Sequence, residues 1–308
     1  MYMLKKIAVT GATSTLGVAV INECIKHEIE VIAFMNPRSQ HEKRIPKSSL
    51  VKIVPCALEQ QKFINVTGIK AEAFIHLAWQ ASNSFVRNDV MPQVENIGYA
   101  LDSVLLAEKL GCSVWIGAGS QAEYGKVNFK LTENTFPVPI TAYGMAKLCA
   151  GQMTRLECRK RNIKHIWPRI LSTYGPNTQD STIINYTIRC LLKGKCPELT
   201  ACEQIWDFLY VDDAARALLL LADKGRDGEV YIISSGTSQI MRKYIEIIHN
   251  KINAAAKIGY GCIPYNSNSI MHLEGDISKI NKELGFRPTI TFEEGIEKTI
   301  EWAKKYYR

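Results

Sequence analysis

Short apolar runs alternate with longer amphipathic ones along the 308 residues of the chain. "KKIAVTG" (5–11) is predicted to be a strand and "GVAVINECIKH" (17–27) the helix after it. "EVIAFM" (30–35), "LVKIVP" (50–55) and "AFIHLAW" (73–79) read as further strands, followed by a helix across 92–111. "SVWIGAGS" (113–120), "KHIWPRI" (164–170) and "EVYIISSG" (229–236) continue the series. Strands that are apolar almost throughout need cover on both faces, which a parallel sheet between helix layers provides. The expected fold is therefore α/β, a doubly wound parallel sheet that binds ligands at the carboxyl ends of its strands. Helices at 181–194, 239–256 and 293–307 among short strands predict a smaller C-terminal lobe. The expected division is 1–170 with a returning segment at about 205–235 for dinucleotide binding, and 171–204 with 236–308 for substrate.

"GATSTLG", Gly11 to Gly17, follows the first strand and opens the first helix. Gly11 permits the tight turn, and Gly17 lets the helix pack close to the sheet. Backbone N–H groups at Thr13, Ser14, Thr15 and Leu16 then face a pyrophosphate at the helix N-terminus. Ser14 replaces the usual middle glycine and offers a hydroxyl to the phosphate. An acid at the end of the second strand would hold the ribose of NAD. This chain instead reads "FMNPRSQHEKR", with Arg38 and Ser39 following the strand. These donors suit a 2′-phosphate and predict NADP, unless Arg38 is an ordinary solvated loop residue.

Ser120 stands at the carboxyl end of a strand, in "SQAEYG". Tyr143 and Lys147, four apart in "YGMAK", share one face of a helix. A free tyrosine has a pKa near 10, and a nearby ammonium lowers it. Ser120 then orients a carbonyl oxygen while Tyr143 serves as general acid.

On these motifs the chain resembles the extended short-chain dehydrogenases/reductases, the NAD(P)-dependent sugar-nucleotide epimerases, dehydratases and reductases. The resemblance also rests on "FIHLAW", "VENIGYALDSVLLAE", "WPRILSTYGP", "WDFLYVDDAARAL" and "KINKELGFRPTITFEEGIEKTIEW", in the family's order. It implies a Rossmann-type sheet, with Ser120, Tyr143 and Lys147 as the catalytic triad and Lys147 also on the nicotinamide ribose. It implies further cofactor contacts at Leu58, Leu77, Ala78, Asn96 and Ile170. Substrate contacts are implied at Trp79, Gln80, Gln121, Ser172, Asn177 and Trp206. Where the family's 4,6-dehydratases carry an acid pair, this chain has Gln121 and Ala122, so dehydration is not expected. Similar SxxEYG strings occur in family members that reduce 4-keto-6-deoxy nucleotide sugars. Reduction by NADPH is the expected reaction; the alternatives are a 4-epimerase with bound NAD and a non-catalytic dinucleotide-binding protein. The chain departs from the family at Ala57, Ser172 and Trp206, which stand where an acid, an asparagine and an arginine are usual. Trp79 and Trp206 read equally as core residues, His76 as a packed strand residue, and Asp212 and Asp213 as helix caps. Family members commonly dimerise through two helices, here about 92–111 and 143–161, with Leu101, Leu105, Met145, Cys149 and Met153 beyond the buried stripe.

Composition narrows the setting. The net charge of +8 comes from 38 basic and 30 acidic side chains, spread without a nucleic-acid module, and suits an anionic small molecule. The nine cysteines are scattered without a C-x-x-C pair, so no metal is expected and a reducing cytoplasm is. The N-terminal apolar run is too short for a signal peptide, and "ALLLLA" (217–222) is far too short to span a membrane.

Overall fold

The computed structural model of the protein describes residues 2–83 and 86–307. Its main sheet is built from β1 (Lys6–Thr10), β2 (Glu30–Met35), β3 (Val51–Pro55), β4 (Ala73–His76), β5 (Val114–Gly117), β6 (Gly119–Ser120) and β7 (Lys164–Ile170). After β8 (Ser172–Tyr174), β9 (Ile205–Trp206) and β10 (Phe208–Tyr210), the chain returns to the main sheet as β11 (Glu229–Ile233). The order is β11-β7-β5-β4-β1-β2-β3, with β6 beside β7 and every pairing parallel. The strand order reverses between β1 and β4, and the crevice of a doubly wound sheet opens at that point.

Helices α1 (Thr15–Lys26) and α5 (Val211–Lys224) cover one face, burying Val20, Ile21, Leu218 and Leu221 against Ile7, Val9 and Ile75. Helices α2 (Val90–Lys109) and α3 (Ala142–Lys160) cover the other, where Val104, Ala107 and Ala150 meet Phe74, Trp115 and Trp167. The apolar strands of the sequence are thus covered on both sides. A separate core joins α4 (Ile183–Leu192), α6 (Met241–Asn253) and α8 (Phe292–Tyr306) around Tyr174, Ile188, Tyr244, Ile248 and Ile300. Beside it β8 pairs with β10, and β9 lies between β12 (Gln239–Ile240) and β13 (His272–Leu273). The short α7 (Ser278–Leu284) packs near β11. No described helix is long and apolar enough to cross a membrane.

Three departures from the sequence expectation matter for the site. The strand expected over 113–120 stops at Gly117 and resumes at Gly119 on β7, so Ala118 carries a step in the backbone. The strand expected over 73–79 ends at His76, leaving Leu77 to Gln80 free to line the crevice. Asp213 is no helix cap: its carboxylate accepts the N–H groups of Thr289 and Ile290 and the Thr289 hydroxyl, and pairs with Arg216. It therefore ties α5 to the segment that leads into α8. His76 does pack as expected. Its Nδ1 lies 2.9 Å from Thr10 Oγ1, its ring stacks on Trp115, and burial pulls its pKa down to about 3.

Candidate active site

A cavity of about 980 Å³ runs along the carboxyl ends of the strands into the cleft beside the C-terminal helices. At one end is the glycine turn. Gly11 has φ +71°, and a Cβ there would lie 2.8 Å from Ala78 N. A Cβ on Gly17 would lie 2.2 Å from Gly11 O, which is why the turn and the start of α1 close so tightly. Thr13, Ser14, Thr15 and Leu16 line the cavity. Ser14 Oγ accepts Gly17 N–H at 3.0 Å, so the hydroxyl caps the helix and keeps its own proton for a ligand.

Ser120, Tyr143 and Lys147 meet in the middle of the same cavity, all three buried. The step at Ala118 brings this about, because its free carbonyl accepts Lys147 Nζ at 2.8 Å. The ammonium also stands 3.5 Å from the centre of the Trp79 ring. Trp79 is held by its Nε1–H on Gln93 Oε1, 2.9 Å, and meets Tyr143 edge-on. Burial, aided by Arg87 and opposed by Glu123, lowers the Lys147 pKa to about 7. Burial raises that of Tyr143, against the pull of Arg87 and of the Ser120 hydroxyl. The cation on the Tyr143 ring is Arg87, 4.8 Å from its centre, whereas Lys147 stands 5.7 Å away. The sequence expectation was that Lys147 lowers the pKa of Tyr143; in the structure burial raises it, and the cation that pulls it back is Arg87. The Arg87 carbonyl also accepts Tyr143 N–H at the start of α3.

Ser120 is held from behind. Its N–H donates to Glu123 Oε1 at 2.8 Å, and Glu123 also takes Trp167 Nε1 at 3.0 Å and Arg169 Nε at 2.7 Å. Its Oγ donates to Gln121 Oε1 at 2.9 Å and accepts Ala122 N–H at 3.2 Å. A substrate oxygen must therefore compete with Gln121 for the serine proton.

The other expected contacts divide. Leu58, Leu77, Ala78 and Ile170 line the cavity, as do Trp79, Gln80, Gln121, Ser172, Asn177 and Trp206. Trp206 donates to Ser172 Oγ at 2.8 Å, so the two departures from the family pattern form one unit. Asn96 lies outside the lining; its amide clamps the Gln80 main chain through N–H and C=O, 2.9 and 3.0 Å. Arg38 and Ser39 are outside it too. Arg38 pairs with Glu59 in solvent, and Ser39 Oγ lies 3.3 Å from Thr13 Oγ1. His41, Arg44 and Arg87 line the cavity and were not anticipated, since isolated basic residues in loops carry no periodic signal. No Asp or Glu lines it among the described residues.

The sequence matches the model of the family described as "NAD dependent epimerase/dehydratase family" over residues 7–234. The chain belongs to this family. Family members and relatives are NAD(P)-dependent oxidoreductases and epimerases, and the protein is an NAD(P)-dependent enzyme of this kind. A putative UDP-glucose 4-epimerase of Methanocaldococcus jannaschii is 24% identical over 98% of this chain and 99% of its own length. A dTDP-4-dehydro-6-deoxyglucose reductase of Escherichia coli is 26% identical over 96% of each chain. The crystal structure of a Thermotoga maritima UDP-glucose 4-epimerase with UDP-glucose superposes with a TM-score of 0.87 at 25% identity, covering 98% of this chain and 100% of that one.

The residues present fit the family's dinucleotide. The close approach of Gly11 to the Ala78 backbone leaves no room for a side chain, and Thr13 to Leu16, which open α1, line the cavity where a helix N-terminus can take a pyrophosphate. Burial draws the Lys147 pKa down to about 7 and so favours its neutral form in the free protein. An anionic ligand favours the ammonium, so binding must take up a proton there. Calorimetric titration of NADPH at pH 8 in two buffers of different ionisation enthalpy should show net proton uptake. Lys147→Met should abolish it. No uptake by the unmutated protein would contradict the assignment.

Proposed function

We propose that the protein reduces the 4-keto group of a nucleotide-linked hexose, a 6-deoxy sugar, with NADPH. One observation carries the reading. The cavity that joins the glycine turn to Ser120, Tyr143 and Lys147 is lined by cations and by no carboxylate among the described residues. A dehydratase needs acids beside the serine, where Gln121 and Ala122 stand. The ribose of NAD calls for an acid at the end of β2, where Met35 and Asn36 stand. The full-length likeness to the Escherichia coli reductase supports the same reading.

A reduced nicotinamide supplies the hydride when bound. The carbonyl oxygen takes the Ser120 hydrogen bond now given to Gln121, which stabilises charge as it gathers. Tyr143 passes its proton to that oxygen and leaves the alcohol. Arg87 stabilises the resulting phenolate, and a protonated Lys147, 5.7 Å from the ring centre, adds to it. Trp79, Gln80 and the Trp206–Ser172 unit form the walls on which the sugar and its nucleotide rest. The second reading, a 4-epimerase, is favoured by the likeness to the Methanocaldococcus protein and the Thermotoga structure. The unpaired state of all nine cysteines is consistent with a cytoplasmic enzyme.

Tyr143→Phe removes one hydroxyl, so NADPH binding should persist. Turnover with a 4-keto-6-deoxy nucleotide sugar should fall about 10²- to 10⁴-fold, the usual worth of general acid catalysis. An unchanged single-turnover rate of NADPH oxidation would remove Tyr143 from the reaction. We further propose a homodimer through α2 and α3, whose Val90, Met91, Val94, Met145, Met153 and Leu156 are exposed. Light scattering at micromolar protein should give twice the chain mass, and Met145→Glu with Met153→Glu should give one. A monomer before mutation would exclude this interface.

A further inference from the structure

The cation expected to choose between the two forms of the cofactor, Arg38, is not among the residues that line the cavity. Its guanidinium is paired with Glu59, and its side chain is 70% exposed. The loop after β2 instead folds back on itself. Arg38 N–H donates to Asn36 Oδ1, Ser39 N–H to Asn36 O, and His41 N–H to Ser39 Oγ. Ser39 Oγ reaches Thr13 Oγ1, which draws the loop against the phosphate-binding turn. The short helical turn Glu42–Arg44 then delivers Arg44 to the cavity beside His41 and Asn36.

Arg44 is half-buried and has no carboxylate partner among the described residues. Its Nη1 reaches only the Asn177 carbonyl oxygen, at 3.5 Å. Thr15, in the phosphate turn, donates to the same oxygen at 2.8 Å. An arginine this close to the turn, with its strongest hydrogen bonds unmade and no acid to neutralise it, is poised for an anion. The end of β2, where Asn36 and His41 line the cavity, is where the adenosine ribose of a dinucleotide lies in such folds.

Resting on the NADP reading, we propose that Arg44, with His41 beside it, is the residue that selects a 2′-phosphorylated over an unphosphorylated adenosine ribose. Arg38 has no part in that choice.

Equilibrium titration by nicotinamide fluorescence tests this without turnover. Kd is measured for NADPH and NADH, and by competition for 2′,5′-ADP and 5′-AMP, on the unmutated protein and on Arg44→Ala, Arg44→Lys and Arg38→Ala. The unmutated protein should prefer the 2′-phosphorylated ligand of each pair. Arg44→Ala should weaken NADPH and 2′,5′-ADP about 10- to 100-fold and leave NADH and 5′-AMP within about twofold. Arg44→Lys should keep part of the preference, which separates loss of charge from damage to the loop. Arg38→Ala should leave it intact. Equal weakening of both ligands by Arg44→Ala makes Arg44 a pyrophosphate contact and overturns the proposal. A preference lost with Arg38→Ala and kept with Arg44→Ala overturns it too, while the NADP reading survives. An unmutated protein that prefers NADH overturns both.

Discussion

The carboxylate of Glu123 is wholly buried, and the position of Ser120 depends on how it is satisfied. It takes the main-chain N–H of Ser120, the indole N–H of Trp167 and the guanidinium of Arg169. Arg169 also lies over the Tyr124 ring, 4.4 Å from its centre. A charge so placed is tolerable only because every partner is in reach, and removing one partner of such a pair costs about 3–5 kcal/mol. Gly119 is part of the same arrangement: a Cβ there would meet Trp167 Nε1 at 2.5 Å and Glu123 Oε1 at 2.8 Å. The string from Gly119 to Tyr124 is thus a packed platform that fixes the Ser120 backbone and leaves its hydroxyl free to change partners.

Opposite that platform, the site is tuned by burial more than by its own charges. Lys147 is drawn toward neutrality and Tyr143 away from ionisation, for the same reason: both charged forms lose water. Trp79 faces the ammonium and replaces part of that lost hydration with the negative face of an indole. An anionic ligand would favour the charged form of Lys147 again.

The alternation of apolar strands and amphipathic helices made the sheet legible in the sequence, because burial on both faces leaves a continuous signal. The glycine turn and the meeting of Ser120, Tyr143 and Lys147 in one cavity were legible because each pattern has fixed residue types at fixed spacing. Loop geometry was not. Arg38 and Arg44 are six residues apart in one polar stretch, and their places are set by the turn hydrogen bonds of Asn36 and Ser39 together with the Arg38–Glu59 pair and the turn Glu42–Arg44. Arg87 and the clamp of Asn96 on Gln80 likewise depend on tertiary contacts without local pattern. The cap expected of Asp213 went instead to a distant loop, since the sequence does not reveal which N–H groups will lack partners.

Net reduction is the claim on which the functional account turns, and isotope transfer addresses it directly. The protein is incubated with NADPH carrying deuterium at the transferable C4 position and a 4-keto-6-deoxy nucleotide sugar. The account predicts one deuterium on C4 of the sugar for each NADP formed, with the cofactor released and exchangeable. A product without deuterium contradicts it. So does inversion at C4 of a nucleotide hexose that has no keto group, with no net oxidation of the cofactor.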